Sequence, residues 1–205
     1  MVNAGAFGSQ LRLSSLEMDL SPCLMHCVLS VVDPLHLRFL RITTPFFADQ
    51  TTVQRLLDHA PHLNHCHFDC SNISYSHMSV FSFRSHLHLR TLEFSFVPMN
   101  QYADRYNWAA AILSSVPNPS PIRHVVLNVG VIPSNEPARS HFIHHLSLLQ
   151  LVLIAPSVAP LRNVTIRVDS YDGSHFSVGE EQKIRDALPV LRDSGLLEVV
   201  LLERN

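Results

Sequence analysis

One phrase recurs along this chain and limits what it can fold into: apolar, two residues, apolar, one residue, apolar. It reads Leu13-x-x-Leu16-x-Met18, Leu37-x-x-Leu40-x-Ile42, Leu63-x-x-Cys66-x-Phe68 and Leu89-x-x-Leu92-x-Phe94. Three further copies are Ile122-x-x-Val125-x-Leu127, Leu161-x-x-Val164-x-Ile166 and Leu196-x-x-Val199-x-Leu201. Their starts are separated by 24, 26, 26, 33, 39 and 35 residues. Seven copies at such spacing point to a repeat architecture, in which each unit buries its apolar side against its neighbours. The last apolar pair of each phrase alternates with other residues, the period of a short strand with one buried face.

Helical periodicity fills the gaps between phrases. Residues Asp49 to Ala60 carry Val53, Leu56 and Leu57, and Pro61 ends the segment. Asp104 to Val116 carries Trp108, Ile112 and Leu113, followed by Pro117; Ser140 to Ile154 carries Phe142, Ile143, Leu146 and Leu149. Val178 to Leu188 reads as a fourth helix, with Ser177 as its N-cap and Glu180 at the capping-box position. Strands alternating with helices imply parallel strands joined by crossovers.

Two α/β architectures fit: a solenoid with strands stacked in sequence order, and a doubly wound sheet with a ligand crevice. Arg41 and Thr43 alternate with Leu40 and Ile42, while Glu93 and Ser95 alternate with Leu92 and Phe94. A wet strand face favours the solenoid, because doubly wound strands are buried on both faces. No Gly-x-Gly-x-x-Gly occurs among only 6 glycines. The expected fold is therefore an α/β solenoid of about seven irregular repeats, with a curved parallel sheet and helices outside. Residues 11–205 form its single domain, and residues 1–10 a frayed N-terminus.

The wording LHLRFLRITTPFFADQTTVQRLLDHAPHLNHCHFD, LHLRTLEFSF, APLRNVTIRV and ALPVLRDSGLLEVVLL resembles the leucine-rich-repeat region of fungal, mushroom-type F-box proteins. The likeness runs from about Leu11 to Leu202. It implies a curved recognition sheet and, in the whole family, an upstream F-box that docks a cullin-type ubiquitin ligase. No Leu-Pro-x-Glu-type F-box stretch is visible, and Met1 to Gln10 is too short for one. The chain reads as the repeat region alone.

Composition narrows the function. Of 205 residues 29 are Leu, and 15 basic residues nearly balance 17 acidic ones, giving a net charge of −2. That balance speaks against a nucleic-acid binder working by phosphate neutralisation. The N-terminus lacks a signal-peptide pattern, and Leu146 to Pro160 is too short and interrupted to span a bilayer. An intracellular chain, cytoplasmic or nuclear, with reduced thiols and without a membrane partner is expected. Asn72-Ile73-Ser74 and Asn163-Val164-Thr165 match the glycosylation triplet and read as chance matches.

The residue between the last two apolar positions should face the open side of the sheet. That column reads Glu17, Arg41, His67, Glu93, Val126, Thr165 and Val200; the next reads Asp19, Thr43, Asp69, Ser95, Asn128, Arg167 and Leu202. The partner-binding candidates on this concave face are Glu17, Phe39, Arg41, His67, Asp69, Glu93, Asn128 and Arg167, with Arg41, His67, Asp69 and Glu93 as one polar patch.

Cys23, Cys27, Cys66 and Cys70 form two C-x₃-C pairs flanked by His26, His65 and His67. Zinc could use such ligands, but Cys66 and Cys70 fall on core positions, where free thiols pack well. His141 and His145 share a helix face without the glutamate of an H-E-x-x-H motif. No nucleophile elbow or phosphate loop occurs. No catalytic residue, metal or cofactor is expected, and protein recognition without catalysis is the leading function. The alternatives are a small α/β enzyme or metal-binding protein using the Cys/His cluster, and a fragment with no function of its own.

Overall fold

A computed structural model describes residues 11–19, 28, 30–43, 50–70, 81–96, 103–130, 136–155, 158, 160–170 and 179–203. Seven strands form one sheet: β1 (Ser15–Asp19), β2 (Phe39–Thr43), β3 (His65–Cys70), β4 (Thr91–Phe96), β5 (His124–Val129), β6 (Asn163–Ser170) and β7 (Leu197–Glu203). All neighbours are parallel, and the order is β1 to β7. The order never reverses, so the sheet lacks the switch point of a doubly wound fold.

The described residues between the strands include a short 3-10 turn (Pro34–His36) and the α-helices α1 (Gln50–Asp58), α2 (Ala103–Ser114), α3 (Glu136–Leu153), α4 (Glu180–Ala187) and α5 (Pro189–Asp193). Each of the first three buries an apolar stripe at helical spacing: Val53, Leu56 and Leu57; Trp108, Ile112 and Leu113; Phe142, Leu146, Leu149 and Leu153. α3 starts four residues before the expected Ser140, because Pro137 fits a first turn, where its missing N–H costs nothing. Gly179 caps α4 at φ 92° and without a side-chain bond; Ser177, the expected N-cap, lies outside the described residues.

The repeat phrase sets the sheet register. Leu16, Leu40, Cys66, Leu92, Val125, Val164 and Leu197 align across the sheet, as do Met18, Ile42, Phe68, Phe94, Leu127, Ile166 and Val199. From β2 to β7 both rows are buried in one core with the helix stripes. Its centre is aromatic: the Phe68 ring sits 5.2 Å from Trp108, 5.6 Å from Phe81 and 6.0 Å from Phe94. The seventh phrase is displaced. Leu197, not Val199, aligns with Val164, so Glu198 and Val200 stand level with Thr165 and Arg167 where Val200 and Leu202 were expected, and Leu202, also outward, is level with Asp169.

Backbone hydrogen bonding repeats with the units. The carbonyls of Ser14, Arg38, Asn64, Arg90 and Arg123 each accept two N–H groups from the start of the next strand. Three arginines just before the strands reinforce this. Arg38, Arg90 and Arg123 donate to the carbonyls of His62 (3.3 Å), Pro121 (2.9 Å) and Pro160 (3.3 Å) in the following unit. At residues 81–83, which lead towards β4, Gln54 binds both backbone groups of Ser82, and the Ser115 hydroxyl donates to the Phe81 carbonyl and accepts from the Phe83 N–H. Buried His86 bonds the Leu57 carbonyl at 3.0 Å through Nε2. These side chains satisfy backbone groups that would be costly to bury unpaired.

Candidate functional site

Strand alternation puts polar side chains opposite the core, and parallel pairing brings them level, about 4.8 Å apart between strands. Neighbouring strands are thus in easy reach of each other's side chains, and the long arginines can reach further. Arg41 donates to Asp69 at 2.7 Å and lies 3.6 Å from Glu17, joining β1, β2 and β3. Glu93 bonds His65 at 3.0 Å and Asn128 at 2.6 Å, with Arg167 at 3.7 Å, joining β3 to β6. Ser95 sits between, 2.8 Å from His67 Nε2 and accepting from Asn128 at 3.0 Å.

Glu17, Arg41, His67, Asp69, Glu93, Asn128 and Arg167 therefore share one polar face. Phe39 is on it too, edge-on to His65 at 4.8 Å. His65 was missed as a face residue, although it lies two positions before His67 and the strand period alone puts it there. Glu198 was missed because of the β7 displacement. It accepts from Thr165 at 2.8 Å and Asn163 at 3.2 Å, so the C-terminal end of the face is more polar than Val200 and Leu202 suggested. Asn163 and Thr165, two thirds of a glycosylation triplet, are partners within a strand.

The electrostatics follow from this pairing. Burial alone would raise the Glu93 pKa, but hydrogen bonds from His65 and Asn128, with the charges of His67 and His65, bring it down to about 2. Asp69 raises the Arg41 pKa by its hydrogen bond, against burial. His67 is lowered, first by burial; Arg41 and His65 add to this, while Glu93 and Asp69 oppose it. The face thus holds ionised carboxylates in fixed geometry. The Ser95 hydroxyl stands between the His67 imidazole and the Asn128 amide, while the backbone on both sides of β4 is engaged in the sheet ladder.

Cys66 is free and fully buried, and burial pushes its thiol pKa up, which makes it a poor metal ligand and nucleophile. Cys23, Cys27 and the Cys70 side chain lie outside the described residues, as do His26 and the His141 side chain. Among the described residues no group of three or more His, Cys, Asp or Glu could hold a metal ion. No described helix is long and apolar enough to cross a membrane. No protein-family model and no curated protein matches the chain.

Proposed function

We propose that this chain is a leucine-rich-repeat-like solenoid whose polar sheet face recognises a protein partner without catalysis. The observation that supports it best is a band of two bonded sets of side chains that meet on β3, one around Arg41 from β1 to β3 and one around Glu93 from β3 to β6. Internal pairing fixes these groups before a partner arrives, which lowers the entropy cost of binding. Glu17 (side chain 61% exposed) and Arg167 (44%) keep capacity for new contacts. A role as the substrate-recognition part of a ubiquitin-ligase adaptor rests on the family resemblance and requires an F-box upstream.

The test is the double variant Glu17→Ala/Arg167→Ala, used as affinity bait beside the wild-type chain. Both side chains end the network, so the fold should persist. The proposal expects a stoichiometric co-purifying protein with the wild type and its loss with the variant. Equal recovery by both refutes it.

A further inference from the structure

We infer that the edge of the sheet where the strands begin is a second docking surface, fitted to an acidic polypeptide segment that carries leucines. In a parallel sheet all strand starts share one edge. The segments leading into β1 to β6 (11–15, 35–39, 61–65, 87–91, 120–124 and 159–163) contain no Asp or Glu. They hold five arginines, Arg12, Arg38, Arg90, Arg123 and Arg162. Three histidines, His36, His62 and His88, form a further exposed row, with His62 and His88 rings 5.5 Å apart.

Two observations separate this edge from an ordinary solvated surface. The first is pairing. Arg41, Arg167, Arg185 and Arg192 each have a carboxylate partner. None of the five edge arginines has one among the described residues; Arg55 and Arg84 share that lack, but only the edge gathers five such arginines at strand starts. Arg38, Arg90 and Arg123 bond neutral carbonyls instead, which hold the guanidinium in place and leave its charge uncompensated. The edge carboxylate nearest in sequence, Asp33, is 3.4 Å from His36. The second is exposed leucine. Leu11 (53%), Leu35 (54%) and Leu87 (65%) occupy the same place, four residues before β1, β2 and β4. Leu35 and Leu87 each open the identical tetrapeptide Leu-His-Leu-Arg. Helix caps or core packing do not require that first leucine.

The chemistry selects the occupant. A chain of net charge −2 with such an edge carries its acids elsewhere, including Glu17, Asp69, Glu93 and Glu198 on the adjoining face. A broad polyanion would meet that repulsion, whereas a narrow segment can follow the edge. Base stacking wants exposed aromatic rings, and the only Phe, Tyr or Trp in these segments is Phe39, packed on His65. Alternating guanidinium and leucine suits carboxylates interspersed with apolar side chains.

Fluorescence anisotropy with a labelled peptide of Glu-Glu-Leu repeats tests this, with oligothymidylate and phosphatidylserine vesicles as competing probes. Saturable, salt-sensitive peptide binding is expected. Arg12→Glu/Arg162→Glu and, separately, Leu35→Ser/Leu87→Ser should each weaken it about tenfold or more, while Glu17→Ala leaves it unchanged. The leucine variant alters exposed side chains only and decides the matter if the charge variant misfolds. No saturable binding, indifference to the leucine variant, or tighter binding to oligothymidylate or vesicles overturns the assignment.

Discussion

Glu93→Gln probes the polar face at its most connected point. The substitution keeps the shape and one acceptor oxygen, for Asn128, turns an amide N–H towards the His65 ring, and removes the charge. Hydrogen bonds to a charged group contribute about 1.5–3 kcal/mol and neutral ones about 0.5–1.5. Two bonds thus change from the first class to the second, at 3.0 and 2.6 Å, and the expected loss near neutral pH is about 2 kcal/mol. The pH dependence is sharper. The folded pKa of about 2 lies below the ordinary 4.5, so the carboxylate stabilises the fold fully above 4.5 and progressively less as pH falls towards 2. The whole difference corresponds to about 3 kcal/mol for this largely buried side chain. Urea unfolding of both proteins across that range should show a gap near neutrality that closes in acid. Equal stability at neutral pH, or a gap independent of pH, refutes the network as drawn.

Other outcomes follow from the core. Phe68→Ala removes the ring shared by Trp108, Phe81 and Phe94 and should cost about 3–5 kcal/mol in urea unfolding. His86 has its pKa lowered from 6.5 by burial, against its backbone bonds to Leu57 and Phe83. The unfolded chain therefore binds its proton first, and stability should fall as pH drops below 6.5; His86→Gln should flatten that part of the profile. Cys66 should resist alkylation in the folded protein and react on unfolding, as mass spectrometry of its peptide can show.

The strands were legible because one period governs them. Leu40, Cys66, Leu92, Val125 and Val164 align as the phrase predicts. β7 was not, since Leu196-Leu197 and Val199 to Leu202 offer two apolar phases. A turn at Gly195, with φ 70° and Leu196 N–H on the Leu191 carbonyl, accompanies the later one. Which residues share the polar face was likewise readable, but their pairing was not: Glu93 takes His65 rather than His67 through side-chain reach across strands. The arginine bonds to carbonyls of the next unit escaped notice because the turns between units, not a sequence period, place those acceptors.

The central claim is that the polar face contacts a partner. A photoreactive benzoyl-phenylalanine at Thr43, on that face, and another at Arg55, exposed on α1, measure it directly in cell extract. The account predicts a discrete crosslinked adduct from Thr43 that Glu17→Ala/Arg167→Ala suppresses, and none from Arg55. Adducts from Arg55 alone, or the same adducts from both positions, would contradict it.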